Sequence, residues 1–339
     1  MKQTLDFVVI GAEKSGTTSL FEYMRGHPEL HLPDAKEVPY FSHGKHALSW
    51  QEYLEKWFGA ADPAQRWGTV TPQYMVGGLY HPDPEAADGW GDVRTVPARI
   101  REQSPDARLI AILRDPTERA RSHYEWAVQA GWETQPFEEA IHDLLKADAL
   151  EAARARPQEN TGYITWGEYG RILAGYFAEF SAERILVLYT SDLKHDPAGV
   201  MRQIFAFLEV NDSYVPPNLG SVYRPVATVP RHFPGLRLEK LKPRLTANRY
   251  MRRLGSVLPE SVRRQADRQF DRLDYWVDTL NRRHARTEFP HARVTPPQSR
   301  SSEPQLEQAL RAHYEADGRL LGSILGAPPP WLHGRPGAD

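Results

Sequence analysis

Residues 7–18 read Phe7-Val8-Val9-Ile10-Gly11-Ala12-Glu13-Lys14-Ser15-Gly16-Thr17-Thr18. Four consecutive apolar residues, two of them valines, make a short run suited to a fully buried strand, and the run stops at Gly11. From Thr17 onward the apolar residues Leu20, Phe21, Tyr23 and Met24 follow helical spacing. The order is strand, glycine-containing loop, helix. A loop in this position gathers backbone N–H groups and the positive end of a helix dipole, which together hold an anion. Gly11 and Gly16 are spaced as in a nucleoside-triphosphate loop, but that loop carries lysine directly after the second glycine. Here the position is Thr17 and the lysine has moved inside, to Lys14. The arrangement disfavours triphosphate hydrolysis and suits a shorter anionic ligand.

The same grammar recurs downstream. Ala107 to Leu113 is an apolar strand that ends at Arg114-Asp115-Pro116, and the next helix is predicted to be capped by Asp115 with Pro116 in its first turn. A further strand is expected at 184–189, after the stretch 169–180, whose Ile172, Leu173, Tyr176, Phe177 and Phe180 fall on one helical face. Alternation of strands and helices predicts the α/β class, a P-loop-like central parallel β-sheet flanked by α-helices. Segments 40–70 and 80–105 are rich in Trp, Gly, Pro and His with weak periodicity, and are read as loops and short helices over the ligand edge. The chain of 339 residues is read as a single domain, 1–339, with a basic helical insertion at 236–290 and a C-terminal helix, 304–332, that returns to the core.

Composition narrows the function classes. With 40% hydrophobic and 25% charged residues the chain is neither disordered nor fibrous. Absence of cysteine removes disulfides, thiolate metal sites and cysteine nucleophiles. No dense carboxylate or histidine cluster suggests a metal. The first apolar run falls far short of the ~20 residues that span a bilayer, and no leader pattern is visible, so a cytoplasmic location without membrane association is expected. The formal charge of −2 hides an opposition: residues 236–286 carry fourteen Lys and Arg against six acids, which leaves the remainder acidic.

The run GAEKSGTTSLFEYMRGHPELHLPDAKEVPYFS, residues 11–42, resembles the sulfotransferases that use 3′-phosphoadenosine 5′-phosphosulfate (PAPS). The likeness is to the branch containing bacterial sulfotransferases and the sulfotransferase domains of heparan sulfate biosynthesis; it extends over about 5–230 and returns in the last helix to Trp331. It implies the sulfotransferase fold and metal-free transfer of a sulfuryl group to a hydroxyl of a small molecule or glycoside, leaving 3′-phosphoadenosine 5′-phosphate (PAP). Lys14, Ser15, Gly16, Thr17 and Thr18 would cradle the 5′-phosphosulfate. The 3′-phosphate requires a second pocket, which the resemblance places at Arg114 and Ser122 within Leu113-Arg114-Asp115-Pro116-Thr117-Glu118-Arg119-Ala120-Arg121-Ser122-His123-Tyr124. Arg119 either faces the ligand or pairs with Glu118 and Glu125. Tyr163, in the stretch 161–169, approaches the adenine or belongs to the core. A basic element over the phosphates is assigned to Arg231 in Pro230-Arg231-His232, with Arg224-Pro225 as the alternative.

For the acceptor side the resemblance implies Glu37 as the base and Lys14 as the stabiliser of the leaving phosphate, making these the two catalytic residues. Glu37 alternatively pairs with Lys36 or Lys14. Cytosolic sulfotransferases use a histidine, for which His43, His46, His81 and His123 are available. Tyr40, Phe41, Thr71 and Tyr74 are the expected acceptor contacts. The lysine that precedes a Ser/Thr-Pro pair in the family is replaced here by Val70, so an anionic glycan loses a cation and an apolar or aromatic acceptor near Trp50, Trp57, Trp67 and Trp90 fits better. Two other readings stand beside this one: a P-loop kinase-like phosphotransferase, and a non-catalytic protein binding anions or nucleic acid through 236–286. The favoured reading involves no nucleic acid and leaves a homo-oligomer open.

Overall fold

The computed structural model describes residues 2–42, 48–76, 95–130, 132–155, 157–158, 160–221, 223 and 303–333. The chain divides into two compact units. Met1–Val128, Trp132–Pro225 and Thr295–Asp339 form the first, which carries the fold described below; Gln129–Gly131 and Val226–Val294 form the second, which lies almost wholly outside the described residues, as does the expected insertion at 236–290.

Five parallel strands, β1 (Phe7–Gly11), β2 (Leu30–His31), β3 (Arg66–Val70), β4 (Arg108–Leu113) and β5 (Ile185–Tyr189), lie in the order β2-β3-β1-β4-β5. The described helices are α1 (Thr17–Met24), α2 (Trp50–Phe58), α3 (Thr95–Gln103), α4 (Pro116–Gln129), α5 (Phe137–Leu144), α6 (Ala147–Ala155), α7 (Gly162–Thr165), α8 (Tyr169–Glu179), α9 (Thr190–His195), α10 (Pro197–Phe207) and α11 (Glu303–Leu325). Every residue of β1 is buried, and so is β4 beyond Arg108, because helices cover both faces. Alternate residues feed two cores: Val8, Ile10, Leu109 and Ala111 pack with α2, α3 and α8, while Phe7, Val9, Ile110 and Ile112 pack with α1 and α10. This is the expected α/β sheet, and no described helix is long and apolar enough to cross a membrane.

The structure corrects the reading of 40–70 as loops and short helices. That segment supplies α2, closed by a Ser49–Glu52 capping box, and β3, the direct neighbour of β1. Gly68 of β3 pairs with Phe7, and a Cβ at Gly68 would collide with the Phe7 ring. The glycine that this ring requires interrupts Arg-Trp-Gly-Thr-Val, so the strand shows no readable period. Between 80 and 105, α3 is helical from Thr95 and the residues before it lie outside those described.

Two helix starts fix the site's surroundings. Asp115 caps α4 as expected, its Oδ1 accepting from the N–H of Thr117 at 2.9 Å and of Glu118 at 3.2 Å. The cap of α8 comes from far along the chain: Asp317, on α11, accepts from the N–H groups of Gly170 and Arg171, each at 2.8 Å. Immediately before α8, Glu168 is 3% exposed and receives Arg154 at 2.6 Å, Arg171 at 2.6 Å and His313 at 3.1 Å. Burial pushes its pKa up, but these partners overcome that push and bring it down to about 2.

Candidate functional site

From β1 the chain moves to β3 and β2 on one side of the sheet and to β4 on the other, so the strand order reverses beside the carboxyl end of β1. Ligands of parallel sheets bind at such a switch point. Three of the connections that leave this edge flank the switch point: residues 11–16 after β1, 71–76 after β3, and Arg114-Asp115 after β4.

The first loop is tied down by its backbone. The Ala12 N–H donates to Ile112 at 2.8 Å, and the Thr190 hydroxyl lies 2.6 Å from the Ser15 carbonyl and 3.0 Å from that of Leu113. Lys14 and Gly16 have φ of 64° and 103°, the left-handed region. At Gly16 this requirement coincides with little space, since a Cβ would come within 3.3 Å of Leu193. No side chain caps α1 at Gly16, so the first-turn N–H groups remain for a ligand. Ser15 is fully buried, Thr17 is 4% exposed and Thr18 is half-buried. The Ser15 Oγ has no partner at hydrogen-bond distance, although the hydroxyl lies close enough to Tyr169 to lower its pKa against the larger upward push of burial.

Arg114 is brought to the same loop. Its Nη1 donates to the Lys14 carbonyl at 3.4 Å and its Nε to Glu118 Oε2 at 3.1 Å. Ser122 is half-buried farther along α4. Arg119 has neither of its expected roles: it is completely buried and donates to the carbonyls of Gly162 at 3.1 Å and Tyr163 at 2.5 Å, which pins α7 to α4. Of the two readings of Tyr163, approach to the adenine and membership of the core, the structure shows the second. Tyr163 is fully buried, bonds Glu133 at 3.2 Å and meets His123 and Tyr124 edge-on, as a core aromatic. His123 is also fully buried and stacks on Trp166 at 4.6 Å. Burial, then Arg119 and Lys14, hold its pKa well below the usual imidazole range, so it stays neutral. Arg224, Arg231, His43, His46, His81 and Trp90 lie outside the described residues.

Glu37 sits between two donors, Lys36 Nζ on Oε1 and Gln73 Nε2 on Oε2, each at 2.7 Å. The four expected acceptor contacts around it are buried: Tyr40 is 9% exposed and Phe41, Thr71 and Tyr74 are fully enclosed. The Tyr74 hydroxyl accepts from the Tyr40 N–H at 2.9 Å, and Tyr176 donates to the Tyr74 carbonyl at 2.6 Å. Tyr40 and Phe41 pack with Trp50 and Tyr53. This aromatic cluster supports the Glu37 segment instead of lining a pocket. Trp67 is likewise in the core, stacked on Phe58 at 5.4 Å, and Val70, at the family's lysine position, is fully buried.

Sequence reasoning missed four residues here. Gln73 orients Glu37. Glu13 brings a second carboxyl: burial, then the Glu37 charge, push its pKa up to about 7 against Lys14, Arg119 and Lys36. Trp126 lies under the Lys14 ammonium, 5.1 Å from ring to Nζ, and Trp132 meets it edge-on at 4.9 Å with 42% of its surface exposed. The available signals were an acid inside an anion loop and, for Trp126, a position one helical turn after Ser122. A cavity of about 350 Å³ at the opposite, amino edge of the sheet is lined by Arg66, Arg108 and Arg184, each paired with an acid. Among the described residues no group of three His, Asp or Glu is placed to hold a metal.

A family model described as a sulfotransferase domain matches residues 4–219, which include all three connections. The chain belongs to the sulfotransferase family. It is 27% identical over 212 residues to heparan sulfate glucosamine 3-O-sulfotransferase 3B1 of Mus musculus, a match covering 61% of this chain and 46% of that protein. It is 30% identical over 153 residues to membrane-associated sulfotransferase kil1 of Dictyostelium discoideum, covering 43% and 29%. The matches thus span less than half the length of these curated relatives. Among solved structures, a sulfotransferase from Alicyclobacillus acidocaldarius superposes with a TM-score of 0.51 at 23% identity, covering 66% of this chain and 88% of that one. That likeness establishes the sulfotransferase fold.

Proposed function

We propose that this sulfotransferase-family chain moves a sulfuryl group from PAPS to a hydroxyl of a ring-bearing small molecule or glycoside, yielding PAP and a sulfate ester. The observation that carries the reading is the junction of two cationic anchors: Arg114, at the end of β4, bonds the backbone of Lys14, in the loop after β1. A ligand with phosphate at both ends of its ribose needs two anion sites at fixed separation. The uncapped α1 and the Lys14 ammonium suit the phosphosulfate; Arg114 and Ser122 suit the 3′-phosphate.

In the reaction the acceptor oxygen attacks sulfur in line with the sulfur–oxygen bond to the 5′-phosphate, which breaks. Glu37 accepts the acceptor's proton, and Lys36 and Gln73 fix its carboxylate plane for that transfer. Lys14 and the α1 N–H groups neutralise charge on the departing phosphate. Trp126 and Trp132 offer the acceptor ring a face beside Lys14.

The test has two parts. PAP raises the thermal midpoint of the protein and AMP, which lacks the 3′-phosphate, raises it much less. Incubation with PAPS and a panel of phenolic, glycosidic and aliphatic alcohols then adds one sulfuryl mass to at least one class. Equal stabilisation by the two nucleotides overturns the assignment.

A further inference from the structure

Glu13 precedes Lys14 in the loop, and its Oε2 is buried with no hydrogen-bond partner. A carboxylate oxygen in that position has given up water and gained no donor. Glu37 differs: a lysine ammonium holds one of its oxygens and an amide N–H the other. Where two carboxyl groups repel each other, the charge remains on the better-solvated one and the proton collects on its neighbour. The groups that bear on Glu13 are Glu37 and Lys36 from the segment before Val38, Lys14 from its own loop, and Arg119 from α4. The three cations favour its anion, while burial and Glu37 oppose it. A phosphosulfate seated on the loop would add negative charge on the opposing side.

We propose that Glu13 makes nucleotide binding proton-linked: it is a neutral carboxylic acid when the anion occupies the loop, and a carboxylate that competes for Lys14 when the loop is empty at alkaline pH. The proposal rests on the nucleotide reading above. A protonated Glu13 also leaves no anionic oxygen buried without a donor. The loop then accepts its polyanion by taking up a proton, and Glu37 keeps its charge for the acceptor.

Titration calorimetry of wild-type protein and Glu13→Gln with PAP, between pH 6.5 and 9 and in two buffers of different ionisation enthalpy, tests this. At pH 8 the wild type is expected to take up about one proton more than Glu13→Gln, and its Kd relative to the variant's to rise about tenfold per pH unit above neutrality, as one linked proton requires. Ionisation of the PAP phosphates is common to both proteins and cancels. Equal proton counts with parallel pH profiles overturn the proposal. Should the variant fail to fold, the wild type alone decides: uptake below about half a proton at pH 8 overturns it. Absence of PAP binding to either folded protein overturns the nucleotide reading, and this proposal with it.

Discussion

Arg114 and Lys14 stand on neighbouring strand ends, and the Arg114 guanidinium bonds the Lys14 carbonyl at 3.4 Å while Glu118 holds its Nε at 3.1 Å. The residue assigned to one phosphate therefore buttresses the loop assigned to the other.

Arg114→Ala is expected to weaken PAP binding by roughly ten- to a hundredfold, the loss of a charged hydrogen-bond donor, and to remove most of the preference for PAP over AMP. Calorimetry with both nucleotides measures the two effects. Arg114→Lys restores charge without the fork and should recover little. A preference for PAP that survives Arg114→Ala would take Arg114 out of the 3′-phosphate site.

Glu37→Gln keeps the shape of the side chain and removes the proton acceptor. Turnover should fall by about 10²–10⁴ with PAP affinity unchanged. Gln73→Ala should lower turnover as well, by a smaller factor, because it frees one Glu37 oxygen without removing the carboxylate. Undiminished turnover in Glu37→Gln would move the base elsewhere.

Trp132 is half open and touches Trp126, which carries Lys14. Trp132→Ala should raise the KM for a ring-bearing acceptor about five- to tenfold, an aromatic contact of roughly 1 kcal/mol, and leave the Kd for PAP unaltered. Steady-state kinetics on an acceptor found by the sulfuryl-mass screen checks this; an unchanged KM removes the indole from the acceptor face.

Glu168 provides a pH test of stability. Its carboxyl lies at about 2 when folded, against an ordinary 4.5. A lowered pKa contributes stability that is fully present above the unfolded value and is lost as pH falls through the folded one, here about 3 kcal/mol between pH 4.5 and 2. Urea midpoints at pH 6 and pH 3 should therefore differ more in wild type than in Glu168→Gln. The variant should already be destabilised at pH 6, because Arg154 and Arg171 lose their shared partner.

Gly170 is where α11 meets α8: a Cβ there would collide with the Asp317 carbonyl and approach the Leu321 nitrogen to 2.9 Å. Both obstacles are backbone and cannot swing aside. Gly170→Ala should cost about 1–3 kcal/mol and lower the thermal midpoint by several degrees.

What the sequence disclosed follows from where information sits in a chain. The strands β1, β4 and β5 are continuous apolar runs and can be read directly; β3 cannot, because Gly68 serves the Phe7 ring across the sheet, a demand that belongs to another segment. Lys14 and Arg114 are conspicuous as cations at strand ends. Gln73 depends on a turn after the unread strand, and Glu13 becomes meaningful only once Glu37 is nearby. Tyr40, Phe41 and Tyr74 show the opposite failure. An aromatic beside a motif looks the same in sequence whether it faces a ligand or the core, and burial decided for the core.

The cap that Asp317 places on α8 spans 147 residues of chain. A polypeptide emerging from a ribosome makes its anion loop, both assigned phosphate anchors and Glu37 well before that carboxylate exists. Until it arrives, the helix that begins at Tyr169, whose hydroxyl neighbours Ser15, has an uncapped start. The start of α8 is in this sense completed only by α11: the helix is made early in the chain and its cap arrives late.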